Sequence, residues 1–219
     1  YWKECKFIKH VTINDLDPAG SERARTNIDS NGLSDVLIDT EKGRHRGIRV
    51  QTADATHIMY NSRKSNGKRP NQPRNEMHEK DAGMKWDIID LDPYGSAAPF
   101  LDAALQAVAH GGMLNVTCTD MAALGGSHPE TCFGRYASMP ITRAGYLHEM
   151  AVRILLYSLA TTAARYGRTI HPILSVGMDF YIRVFVEVRD NKAGVNDLSL
   201  NVGNVYQSTQ CPSFYVAAS

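Results

Sequence analysis

Trp86-Asp-Ile-Ile-Asp-Leu91, followed at once by Asp92-Pro-Tyr-Gly95, is the stretch that decides the fold. These six residues, with two Ile and a Trp, have the composition of a strand, and Asp-Pro-Tyr-Gly ends it in a turn. An acid therefore stands at the carboxyl end of a strand. Moving outward, the same arrangement recurs. Upstream, Val11-Thr-Ile-Asn14 runs into Asp15 and Asp17, and Ile48-Arg-Val-Gln-Thr52 runs into Asp54. Downstream, Met113-Leu-Asn-Val-Thr117 leads to Asp120. Helical segments lie between these strands: Ala19 to Asn31, stopped by Asn31-Gly32, and Phe100 to Ala109, stopped by Gly111-Gly112. The longest helix is expected from near Pro140 to Tyr166-Gly167, with Leu147, Met150, Ala151, Ile154, Leu155 and Leu159 on one apolar stripe. Ile170 to Val176, a turn at Gly177, and Asp179 to Arg189 read as a hairpin. Phe180, Ile182, Val184, Val186 and Val188 share one face of its second arm.

Strands alternating with helices and closing on an antiparallel hairpin predict an α/β sheet wound on both faces. In such sheets ligands lie beyond the carboxyl ends of the strands. Asp15, Asp54, Asp92 and Asp120 are all placed there.

Composition narrows the possibilities without choosing an activity. The chain has 219 residues, 43% of them hydrophobic and 21% charged, enough apolar material for a core. No run approaches the roughly 18 apolar residues of a membrane span. Cys5, Cys118, Cys132 and Cys211 form no C-x-x-C pair, and the His residues show no ligand spacing. A disulfide scaffold, a zinc site and metal hydrolysis are not indicated, and a reducing, intracellular setting is expected. A nicotinamide enzyme is not indicated either, because no G-x-G-x-x-G follows a strand. The net charge of +1 hides an asymmetry: residues 1–80 carry +4 and residues 81–219 carry −3. The basic excess is sharpest in Asn61–Lys80, which reads as a solvated insertion or as a contact for phosphates.

Each acid has two readings. Asp15 either caps the following helix or accepts hydrogen bonds from ribose hydroxyls, with Asp17-Pro18 the better cap of the pair. Asp54 is either a turn acid or the acceptor for an adenine amino group, with a neighbouring backbone N–H meeting a ring nitrogen. Asp92-Pro-Tyr-Gly95 makes a good type I turn. It also holds the parts needed to alkylate an exocyclic amine. The lone pair of such an amine is delocalised into the base. A carboxylate (Asp92) and a carbonyl (Pro93) that accept its N–H bonds localise that lone pair and take up the proton. An adjacent ring, Tyr94, stacks on the base.

Asp92-Pro-Tyr-Gly-Ser96 resembles the D-P-[FY]-G-S form of the [DN]-P-P-[FY] motif of class I S-adenosylmethionine-dependent amino-methyltransferases. Cys118-Thr-Asp-Met-Ala122, His128-Pro-Glu130, Arg135-Tyr-Ala-Ser-Met-Pro140, His148-Glu-Met-Ala-Val-Arg-Ile-Leu155 and Tyr166-Gly-Arg-Thr-Ile-His-Pro-Ile-Leu-Ser175 extend the likeness. Together they resemble the tRNA (guanine-26, N2)-dimethyltransferases of eukaryotic type. The resemblance implies a Rossmann-like sheet with a terminal antiparallel hairpin. It also implies S-adenosyl-L-methionine as cofactor, tRNA as partner, no membrane association, and a place in the nucleus or mitochondrion. It assigns Asp15 to the cofactor ribose, Asp54 and Ala55 to its adenine, and Asp92, Pro93 and Tyr94 to the target guanine; no metal is involved. Residues 1–190 would form the catalytic domain, with 61–80 as a basic insertion, and 191–219 the start of a truncated C-terminal domain. In such enzymes a first strand and Gly-rich turn precede the strand at Val11, and Tyr1 to Lys6 read as the tail of the next helix. The chain is therefore expected to lack its first strand and to bind cofactor poorly alone. The alternative is a non-catalytic RNA-binding or dimerising module of the same fold.

Overall fold

The computed structural model describes residues 7–38, 47–62 and 85–218. Most of the basic segment Asn61–Lys80, and Tyr1 to Lys6, lie outside the described residues. The chain divides into two compact units, residues 1–58 and 59–219.

In the first unit, β1 (His10–Asp15) pairs in parallel with β2 (Gly47–Thr52), and Asp15 stands opposite Thr52. Helix α1 (Pro18–Ser30) joins them. It starts where the Asp17 carboxylate accepts the Ala19 N–H at 3.0 Å, with Pro18 supplying the fixed φ of a first helical residue. It stops at Asn31, followed by Gly32 at φ +65°. Ile28, Ile48 and Val50 form a small core, flanked by Val11, Ala24 and Leu33. Beyond β2 a further helix, α2 (Ala55–Ser62), begins directly after Asp54.

The second unit is built on a sheet of order β3-β4-β6-β5. Strand β3 (Trp86–Leu91) pairs in parallel with β4 (Val108–Cys118). β4 is antiparallel to β6 (Tyr181–Asp190), and β6 to β5 (Arg168–Met178). The α/β architecture and the terminal hairpin are as expected. Alternation fixes the buried face: Leu91, Val116 and Val184 lie in one row across three strands and are all buried. Ile182, Val184, Val186 and Val188 are fully buried, whereas Phe180, expected on the same face, sits in the hairpin turn and is exposed. Helices α3 (Ala98–Ala107) and α6 (Leu147–Ala164) pack on each other and on this face. The α6 stripe of Met150, Ala151, Ile154, Leu155 and Leu159 is core, and each large side chain so buried contributes about 1.5–3 kcal/mol.

Three boundaries differ from expectation, the first being the hairpin turn, which lies at Asp179-Phe180 and not at Gly177, a residue of β5 paired with Ile182. Gly111-Gly112 does not stop α3, which ends at Ala107; both glycines lie inside β4. A Cβ on Gly112 would stand 2.8 Å from the Asp87 carbonyl, so this position needs glycine for strand approach and not for termination. Helix α6 begins at Leu147, because residues between Ala137 and Tyr146 pass through positive φ at Ala137 and Arg143. Two helices were not anticipated in the segment before it, α4 (Met121–Leu124) and α5 (Pro129–Tyr136). After β6 the chain forms a short α7 (Lys192–Val195), a 3-10 turn and the hairpin β7 (Gly203–Gln207) and β8 (Phe214–Ala218). Among the described residues, β1 pairs with β2 alone and β3 with β4 alone.

Candidate active site

In the first unit, the parallel register brings the ends of β1 and β2 side by side. The Ala53 N–H donates to the Asp15 carbonyl at 3.1 Å, and Asn14 Nδ2 donates to the Ala53 carbonyl at 2.9 Å. Asp15 and Asp54 thus leave adjacent strands at one sheet edge, and both are exposed.

Asp15 is not the helix cap; Asp17 is. Asp15 Oδ1 accepts the Asp17 N–H at 2.9 Å, which folds its carboxylate over the start of α1. There it lies against Gly20, where a Cβ would come within 1.9 Å of Oδ2, so only glycine fits beneath it. Asp54 caps α2: Oδ1 accepts the Thr56 N–H at 2.7 Å and, more weakly, the His57 N–H at 3.4 Å. Neither Asp54 Oδ2 nor the Ala55 N–H has a hydrogen-bond partner among the described residues. An acceptor and a donor therefore stand on consecutive residues. This pairing matches the amino group and adjacent ring nitrogen of an adenine edge.

In the second unit, Asp92, Pro93 and Tyr94 open the loop between β3 and α3. Tyr94 is fully exposed, and its ring packs on none of the described residues. Asp92 is also exposed, and among the described residues no hydrogen bond engages its carboxylate or the Pro93 carbonyl. Both acceptors are free for a ligand. The loop behind them is pinned. The Gly95 N–H donates to Thr119 Oγ1 at 2.7 Å and the Thr119 N–H donates back to the Gly95 carbonyl at 2.9 Å.

The fourth strand-end acid, Asp120, differs from the other three. Its side chain is only 7% exposed and is occupied by Arg135 Nη1 at 2.9 Å and by the Tyr136 hydroxyl at 3.0 Å. It is internal to the fold and not open to a ligand. Sequence reasoning did not find its partner. Tyr136 lies on α5, and the only signal for it was its place in the Arg135-Tyr-Ala-Ser-Met-Pro140 segment.

A family model for N2,N2-dimethylguanosine tRNA methyltransferase matches residues 1–218. The chain is 38% identical over 215 residues to the tRNA (guanine(26)-N(2))-dimethyltransferase of Schizosaccharomyces pombe, covering 98% of this chain and 33% of that protein. It is 40% identical over 216 residues to dimethyltransferase 1 of Arabidopsis thaliana, covering 99% of this chain and 31% of that one. A mitochondrial tRNA (guanine(26)-N(2))-dimethyltransferase of Saccharomyces cerevisiae is 32% identical over 216 residues, covering 98% of this chain and 33% of that protein. Among solved structures, the complex of Trm1 from Pyrococcus horikoshii with S-adenosyl-L-methionine matches with a TM-score of 0.75 at 29% identity. That match covers 96% of this chain and 52% of the other. The chain spans about a third of the length of the curated relatives it matches. By the extent of the family match, the chain belongs to the N2,N2-dimethylguanosine tRNA methyltransferase family.

Proposed function

We propose that the protein containing this chain transfers methyl groups from S-adenosyl-L-methionine to the exocyclic N2 amine of guanine-26 in tRNA, twice in succession. The free acceptors of the Asp92–Tyr94 loop, next to an exposed aromatic ring, carry this reading. The cofactor supplies an electrophilic methyl group on a sulfonium. Asp15 accepts from its ribose hydroxyls, Asp54 Oδ2 from its adenine amino group, and the Ala55 N–H meets the adjacent ring nitrogen. The unpartnered donor and acceptor at Ala55 and Asp54 fit that edge.

Tyr94 stacks on the guanine and fixes its plane, a contact worth roughly 1–3 kcal/mol. Asp92 and the Pro93 carbonyl accept the two N2–H bonds, which returns lone-pair density to the nitrogen. As the C–N bond forms, the methyl–sulfur bond would break with its electron pair left on a neutral thioether, and Asp92 takes the proton that the nitrogen loses. A second transfer uses the remaining N–H in the same way. Residues 1–190 make up the catalytic part. The basic residues of 61–80 meet tRNA phosphates, and the protein works in the nucleus or mitochondrion, the latter supported by the name of the yeast relative.

The test is to react the full-length protein from the encoding gene with tRNA and labelled cofactor, then digest the tRNA to nucleosides. The expected label is in N2-methylguanosine first and N2,N2-dimethylguanosine later. Label in a methylated adenosine or cytidine would overturn the reading.

A further inference from the structure

We infer that Tyr136 is a positioning residue for methyl transfer, holding the Asp92–Gly95 loop in place through Ser96 and Asp120. This rests on the reading of that loop as the guanine-amine site. Residues 92–97 belong to neither β3 nor α3, and Gly95 sits at φ +80°. Two acceptors that must meet one amine within a few tenths of an ångström need the loop held from outside.

One tether is the reciprocal pair between Gly95 and Thr119. The other is a one-way chain of hydrogen bonds. Asp120, ion-paired to Arg135, can only accept, so the Tyr136 hydroxyl donates to it at 3.0 Å. The phenol has a single proton, so the 2.6 Å contact with Ser96 must be a donation from the Ser96 hydroxyl to the Tyr136 oxygen. Ser96 Oγ in turn accepts the Ala98 N–H at 3.1 Å, at the first residue of α3. In this order the Tyr136 proton goes to the Asp120 carboxylate and the Ser96 proton to the phenol oxygen.

Tyr136 is 1% exposed, and Cys118 Sγ lies 3.5 Å from its hydroxyl. Burial, followed by the neighbouring Cys118 and Asp120, raises its phenol well above the usual tyrosine range. It therefore stays a donor at any working pH. A phenylalanine would fill the same core space, so the hydroxyl is present for the network. Cutting it releases the side of the loop that Thr119 does not hold, while Asp15, Asp54 and Ala55 keep their own contacts.

The test uses the full-length protein and Tyr136→Phe, with Ser96→Ala as a second variant that cuts the same chain at its half-buried end. Amide hydrogen exchange is followed alongside single-turnover methyl transfer and cofactor binding by calorimetry. We expect loop amides from Tyr94 to Ala98 to exchange at least tenfold faster in both variants, with those of α6 unchanged. The transfer rate falls about tenfold or more, and cofactor affinity stays within twofold. Asp92→Asn should cost less in the Tyr136→Phe background than alone, because both act through one loop. Unchanged loop exchange, or fully additive rate losses, would overturn the inference. These outcomes are separate from the identity of the product: a methylated nucleoside other than guanosine removes the proposed function, whereas the exchange readout needs no turnover.

Discussion

Among the described residues, Asp92 keeps its carboxylate free, while Asp15, Asp54 and Asp120 each use at least one oxygen on their own backbone or core. A free acceptor at that position is what the proposed chemistry asks for. Replacing Asp92 by Asn in the full-length protein keeps the volume and removes the charge that strengthens as the amine becomes cationic. The expected loss is about 2–4 kcal/mol of transition-state stabilisation, read as a drop in kcat. Cofactor affinity by calorimetry stays within a few-fold, because the proposed role of Asp92 is on the base side. Near-normal turnover would remove it from the mechanism. Tyr94 makes a second contrast. With its ring fully in solvent, the hydroxyl has no structural partner to lose. Tyr94→Phe should be mild and Tyr94→Ala severe in KM for tRNA, by about 1–3 kcal/mol. Equal damage from both would assign the work to the hydroxyl and not to stacking.

At the scale of elements, α3 is where the loop's geometry is anchored, and Asp102 ties it to its neighbours. Its carboxylate accepts from Tyr60 of α2 at 2.6 Å, from Tyr166 just past α6 at 2.6 Å and from Gln106 at 2.7 Å. Burial pushes its pKa up. The hydrogen bonds of Tyr166, Tyr60 and Gln106, with the charge of Arg165, outweigh that and hold it below the usual carboxylate value. A depressed folded pKa gives stability that is complete above the unfolded value near 3.9 and is lost as pH falls through the folded one. Tyr166→Phe should therefore destabilise by about 1 kcal/mol in urea at pH 7 and by less below pH 4, where the wild type has already lost part of the contribution. A penalty that grows on acidification would contradict this. Elements with long or regular patterns are legible in the sequence: β3, the α6 stripe and the two arms of the β5–β6 hairpin lie where the residue pattern puts them, though the hairpin turn falls two residues later than Gly177. The short ones are not. Helices α4 and α5, with 4 and 8 residues, carry too few turns for a periodic signal, and α2 is hidden behind a cap that reads as a turn acid. Gly111-Gly112 was misread because a glycine pair has the same appearance whether it ends a helix or lets two strands approach. Asp120 was misplaced for a related reason: sequence puts an acid at a strand end but does not reveal that α5 returns to bury it.

For the whole molecule, one unit carries the acids suited to a nucleoside cofactor and the other carries the loop suited to a target base. The central claim is chemical: the group methylated is the N2 amine of a guanine, held by Asp92 and the Pro93 carbonyl. Inosine is guanosine without that amine and keeps the rest of the base's hydrogen-bonding edge. The most direct measurement gives the full-length protein two tRNAs that differ only at position 26, guanosine in one and inosine in the other, and counts methyl groups transferred from labelled S-adenosylmethionine. The account predicts up to two methyl groups on the guanosine tRNA and none on the inosine tRNA, which should still bind; comparable methylation of both would contradict it.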